Sequence, residues 1–139
     1  MAILGIFKKK KKKKSRKAYL IEQIDKIVSL MVRRRDDYTC RKCGRIAVNK
    51  GDVAHHHIFT KRRFTTRWLK RNGVTLCFHC HRWAHAAAEE FREWVLSWMP
   101  KEEYDALYAK SQMRGGYKEN DLEWLLIEMK KEILDDENL

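Results

Sequence analysis

Four cysteines fall into two pairs, Cys40-Arg41-Lys42-Cys43 and Cys77-Phe78-His79-Cys80, each with the two-residue gap that lets both sulfurs of one turn face a single ion. Four thiolates in this pattern make a tetrahedral structural zinc site. Disulfides are the competing use of the same residues, but they belong to oxidising compartments and no secretory signal precedes them. The pairs are 33 residues apart, positions 44 to 76, which exceeds a simple zinc ribbon, so the intervening chain must be an organised insertion. All six histidines lie between positions 55 and 85, inside or beside that insertion. Core histidines do not cluster in this way. Imidazoles at such density ligate divalent ions or exchange protons near neutral pH.

The elements carrying these residues divide their work. His81 and His85 are four apart at the start of a predicted helix, which puts both rings on one face where they can share an ion. A third ligand comes from His55-His56-His57 on a predicted strand. Neighbouring strand side chains point to opposite faces, so His56 and His57 cannot both reach one metal, and they should serve as one ligand and one base. His55 is read as a strand residue facing away from the ion and His79 as an exposed filler within the second cysteine pair. Asp52 is either a partner for one of the imidazoles or an exposed turn carboxylate, the second being preferred.

Positioning requires a frame. Ser15 is a candidate N-cap for a first helix in which Leu20, Ile24, Ile27 and Met31 repeat at helical steps. Strand-type stretches run over Val53 to Phe59 and Val74 to Leu76. From about Arg82 the pattern turns helical: Phe91, Trp94, Val95 and Trp98 share a face until Pro100, which opens a shorter helix with Tyr104, Leu107 and Tyr108. Gly115-Gly116 ends that piece. Asn120 with Glu123 has the form of a capping box, ahead of a last helix with Leu122, Leu125, Leu126, Met129 and Ile133 on one face. The aromatic and leucine positions here are read as packing residues.

The 139 residues suit one small core with appendages, and a core so poor in aliphatics needs the folding free energy of a bound zinc. The formal net charge is +12, which points to an anionic partner, nucleic acid first. Residues 1 to 71 hold 23 Lys+Arg and 5 Asp+Glu, whereas 72 to 139 hold 8 and 14. The lysine run Lys8 to Lys14 reads as a solvated, disordered arm that either solubilises or draws in phosphate. No apolar stretch is long enough to span a bilayer, which leaves only a surface-bound tail as a membrane reading. The short apolar opening, Met1 to Phe7, precedes the positive run and lacks the form of a secretory signal, so an intracellular, cytoplasmic protein is expected.

Residues Cys40 to His85 resemble an HNH (ββα-metal) nuclease of the subclass in which two CxxC pairs bracket a His-His-Ile hairpin and the metal helix. The resemblance implies that His57, just before Ile58, is the general base and that His56 binds the metal with His81 and His85. A register slip of one would pass these roles to His56 and His55. Asn72 lies 15 residues after His57, with His81 and His85 a further 9 and 13 on. These spacings are similar to those of colicin-type DNases, whose asparagine holds the base in orientation, so His57 and Asn72 form the implied catalytic pair. Gly73 departs from the family, which has a leucine there, and Asn72-Gly73 is also a hairpin turn signal. More loosely, the flanks resemble the phage NinG (Rap) recombination proteins: a basic helix ahead of the first CxxC, the stretch Arg67 to Asn72, and an acidic helical tail.

The resulting expectation is an α+β protein with a zinc-stapled ββα-metal core. Residues 1–17 form the basic arm, 18–35 a helix, 36–88 the core and 89–139 a helical extension. The expected activity is metal-dependent hydrolysis of DNA phosphodiesters, which by resemblance leaves 5′-phosphate and 3′-hydroxyl ends, in phage or mobile-element processing or recombination. Cys40, Cys43, Cys77 and Cys80 would hold structural zinc, and His56, His81 and His85 one catalytic divalent ion. Imidazole ligands suit zinc, nickel or other transition ions better than magnesium, and the ion itself is left open among zinc, nickel, manganese and magnesium. Lys61, Arg62, Arg63, Arg67, Lys70 and Arg71 would flank the nucleic-acid backbone, positioning without reading bases. The rival expectation is a non-catalytic zinc module that binds nucleic acid; a third is an assembly factor whose C-terminal helices recruit a protein partner.

Overall fold

A computed structural model describes residue 5 and residues 10–137; the rest of the opening apolar segment, Lys8 and Lys9 lie outside the described residues. Positions 10 to 15 are exposed and without regular structure. Helix α1, Arg16–Arg35, starts where Ser15 Oγ accepts a hydrogen bond from the Ala18 N–H at 3.1 Å, and Arg33, Arg34 and Arg35 complement the negative end of its dipole. Its buried stripe is Leu20, Ile24, Val28, Met31 and Val32. Ile27, expected in that stripe, is only half-buried because the helix turns its 24-28-32 row inward.

Asp37 and Tyr38 then take left-handed backbone angles, φ 52° and 51°, which reverse the chain at a cost that non-glycine residues bear only where the surroundings enforce it. The first cysteine pair follows in a tight turn closed by Gly44 N–H to Cys40 C=O, with Gly44 at φ 79°. Strands β1, Val53–His57, and β2, Gly73–Cys77, pair antiparallel in the register Val53↔Cys77, His55↔Thr75 and His57↔Gly73. Between them lies a 15-residue connection holding a four-residue helix α2, Phe64–Arg67, and a 3-10 turn over Lys70–Asn72. Asn72-Gly73 is therefore not a two-residue hairpin turn; Asn72 has no positive φ and leads straight into β2.

Helix α3, Phe78–Ala86, begins four residues earlier than the periodicity suggested, because Cys77 caps it: Cys77 Sγ accepts from the Cys80 N–H at 3.5 Å. Helices α4, Ala88–Trp98, and α5, Lys101–Gln112, follow, separated by Pro100. Helix α6 spans Glu119–Glu137. The expected cap at Asn120 is displaced: Asp121 reaches back to the Lys118 N–H at 3.0 Å, so the helix opens two residues sooner.

Two apolar clusters flank the small sheet. One joins Val53, Val74 and Leu76 to Ala84, Phe91, Val95 and Leu107 of α3, α4 and α5. The other joins Leu20, Ile24, Val28 and Val32 of α1 to Trp68, Leu122 and Leu126. Among the described residues the architecture is thus α+β, six helices around a two-stranded sheet, and no helix there is long and apolar enough to cross a membrane.

Candidate metal centres and histidine cleft

The two cysteine pairs converge. All four sulfurs lie within 4.8 Å of one another, one pair contributed by the turn after α1 and the other by the N-terminus of α3. Cys43 and Cys77 Sγ are 3.7 Å apart, against about 3.8 Å for the edge of a tetrahedron with zinc–sulfur bonds of about 2.3 Å. That separation is far beyond a disulfide bond of about 2.0 Å. Burial pushes the Cys40 thiol up, but the backbone N–H groups of Cys43, Cys77 and Lys42 outweigh it and bring its pKa down to about 7. Burial and the neighbouring sulfurs push Cys80 the other way. A cation among the four would favour thiolate at each, and the donor set is that of structural zinc.

The strand register sorts the histidines as alternation requires. His56 faces α3, where its ring stands 4.9 Å from both the His81 and His85 rings, centroid to centroid. His81 and His85, one turn apart on α3, bring their Nε2 atoms to 3.0 Å. One nitrogen from each of the three lies within 4.8 Å of the others. His56 is buried, and burial together with the charges of His81 and His85 pushes its pKa down to about 3. Its ring packs edge-on against Phe91 at 4.8 Å, so the unprotonated, ligand-competent form is the one this environment favours. The absence of any carboxylate in the group, and a buried His81 Nδ1 without a hydrogen-bond partner, fit a site made for a cation rather than for an ion pair.

His55 and His57 point to the other face, their rings 4.3 Å apart. The His55 ring lies over Gly73 and beside Val32 of α1, and burial pushes its pKa down to about 3. His57 sits at the end of β1 with Nε2 3.1 Å from the Arg67 carbonyl. Burial lowers its pKa, against the pull of that carbonyl and of Asp25. His55, His56, His57, His81 and His85 all line one cleft of about 630 Å³, together with Lys61, Phe91, Arg92 and Tyr104.

Asn72 is fully buried and holds the connection rather than the imidazole itself. Its Oδ1 accepts from the Phe59 N–H at 2.8 Å, while Nδ2 donates to the Phe59 and Thr66 carbonyls at 3.0 and 3.1 Å. It thereby fixes the chain on both sides of the loop that begins after His57 and ends at Arg67.

The six basic candidates are not brought together. Lys61, Arg62 and Arg63 are exposed on the loop beside the cleft. Arg71 is exposed on a different surface, near Arg35 and Arg41. Lys70 pairs with Glu132 of α6, and Arg67, only 14% exposed, pairs with Asp25 of α1. His79 is exposed, and Asp52 caps the turn before β1 by accepting from the Asn49 N–H at 2.9 Å. Sequence reasoning missed Asp25: it sits 42 positions from Arg67, and no spacing links the two.

No curated protein and no solved structure matches the chain. The family model described as Bacteriophage Lambda NinG protein matches residues 6–137. That span takes in the lysine run, both cysteine pairs, every histidine and the acidic last helix, so the loose likeness of the flanks extends over the whole fold, and the chain belongs to the phage NinG family.

Proposed function

We propose that this chain is a metal-dependent endonuclease that hydrolyses DNA phosphodiester bonds in phage recombination or related DNA processing. Membership in a phage family whose role is related to recombination supports the setting. The observation that carries the chemistry is the meeting of three imidazole nitrogens within 4.8 Å in a cleft that the separately oriented His55 and His57 also line. A zinc module that merely binds nucleic acid has no use for this second donor set beside four cysteines.

In this reading His56, His81 and His85 hold a divalent ion, and nitrogen donors suit zinc or nickel better than magnesium. Such an ion supplies Lewis acidity toward a phosphate oxygen. The protein's own residues do the rest. His57 donates its Nε2–H to the Arg67 carbonyl, which fixes the tautomer and leaves Nδ1 free to accept a proton from water. Asn72 keeps the flanking backbone from drifting, and Lys61, Arg62 and Arg63 draw the phosphate backbone to the rim. The products expected are 5′-phosphate and 3′-hydroxyl ends.

Plasmid, single-stranded and four-way-junction DNA tested against a panel of divalent ions would check the reading. His57→Ala should lower nicking by at least about a hundredfold, the scale of a lost general base, with zinc content and circular dichroism unchanged. Equal activity in the variant would reject His57 as base. DNA binding without cleavage under every ion would leave a binding module.

A further inference from the structure

Arg67 offers a guanidinium beside a cleft that is proposed to take phosphate, yet each of its three nitrogens is bonded within the fold. Nε and Nη2 donate to Asp25 Oδ1 and Oδ2 at 2.9 and 2.7 Å, and Nη1 donates to the Lys61 carbonyl at 3.1 Å. The neighbouring Trp68, 7% exposed, adds its Nε1–H to Asp25 Oδ1 at 2.8 Å. One carboxylate on α1 therefore grips the side chains of two consecutive residues. On their N-terminal side the Thr66 carbonyl is gripped by Asn72 Nδ2. The Arg67 carbonyl, which lies between these two clamps, is the group that receives His57 Nε2.

We propose that Asp25 is a positioning residue for His57: through the Arg67 and Trp68 side chains it fixes the Arg67 carbonyl that sets the orientation and tautomer of that imidazole. This rests on His57 being the base, and it makes Arg67 part of the scaffold of the site instead of a phosphate contact. It also gives α1, which lies outside the two strands and the metal helix, a part in the chemistry. Burial alone would raise the Asp25 pKa, but the hydrogen bonds from Arg67 and Trp68 hold it below the ordinary carboxylate range, so the clamp is charged at neutral pH. A bidentate pair is the geometry that fixes orientation as well as distance, which a single lysine contact would not do.

The test uses the full chain, zinc-loaded, with Asp25→Asn, Asp25→Glu and Arg67→Lys, and two readouts. Long-range proton–nitrogen spectra report the His57 tautomer, and plasmid-nicking kinetics separate kcat from KM. Asp25→Asn should retain zinc and fold, lose the single Nε2–H tautomer, and lower kcat about tenfold to a hundredfold with KM within about twofold, since a slightly misplaced base costs that much. Asp25→Glu should restore part of the loss. An unchanged tautomer and kcat in a folded Asp25→Asn protein would overturn the proposal, as would a rise in KM alone. If Asp25→Asn does not fold, Arg67→Lys, which keeps the charge and removes the fork, decides by the same readouts. If the wild-type chain cleaves nothing, the nuclease reading fails, and the tautomer spectra still decide whether Asp25 positions His57.

Discussion

Gly73 is glycine because of what lies over it. Its backbone is ordinary extended chain, φ −122° and ψ 145°, which any residue adopts. A Cβ there would stand 2.3 Å from His55 Nε2, and the ring has little room to withdraw, wedged among Gly73, Val32 and His57. The glycine is therefore tied to His55, a residue to which the spacing assigned no task. We predict that Gly73→Ala lowers stability by about 1–3 kcal/mol, the usual cost of overpacking. His55→Ala in the same chain should recover most of it, and urea unfolding of the two single variants and the double variant checks this. Additive losses would show that the two side chains do not compete for the same space. Asn72 makes the complementary point: its type and place were legible in the sequence, while its hydrogen bonds to Phe59 and Thr66 follow from a loop whose shape no short-range pattern encodes.

At the scale of elements, what the sequence made legible is what local periodicity governs. α1, α4, α5 and α6 are readable from apolar steps and from Ser15 and Pro100, and the alternation along β1 separates His56 from its neighbours. α2 was not readable, because four residues of Phe-Thr-Thr-Arg carry no period. The start of α6 slipped because Asn120-Glu123 has the residue types of a capping box, whereas the cap that forms is one-sided, Asp121 accepting from the Lys118 N–H, and the choice between them depends on where Leu122 must meet α1. Asp36, just beyond α1, shows the same dependence on distant partners. Its side chain is wholly buried, it pairs with Arg35 and Arg41, and it accepts the Thr75 N–H of β2 at 3.0 Å, tying helix, cysteine turn and sheet together. Burial alone would raise its pKa, but the hydrogen bonds of Arg35 and Thr75 and the Arg35 charge hold it below the usual 3.8. A folded-state value below the unfolded one gives stability that is full above about pH 4 and is lost as pH falls through the folded value. Wild-type stability should thus drop more steeply than that of Asp36→Asn between neutral pH and pH 3. Parallel urea midpoints across that range would remove Asp36 from the acid response.

For the whole molecule, the asymmetry between a basic front half and an acidic back half is partly answered within the fold. Glu123 and Glu137 of α6 pair with Arg16 and Arg34 of α1 at 3.4 and 2.8 Å, and Glu132 pairs with Lys70. Exposed pairs of this kind add little stability, yet they take positive charge off the α1–α6 side. α6 still exposes Trp124, Ile127 and Leu134. Positive charge without an acidic partner is left on Lys61, which lines the histidine cleft, and on Arg62 and Arg63 next to it in the chain, where none of the three takes part in an ion pair among the described residues. If DNA enters there, each of these residues that neutralises a phosphate contributes about 0.9 to the slope of log affinity against log salt. Replacing all three with alanine should flatten that slope by about 3 units. Lys70→Ala should leave it nearly unchanged, because its ammonium is already paired with Glu132. Titrations of labelled duplex from low to physiological salt measure both slopes. A triple variant with the wild-type slope would place the DNA on another face, and a Lys70→Ala slope flattened by about 0.9 would mean that the pairing with α6 opens when DNA binds.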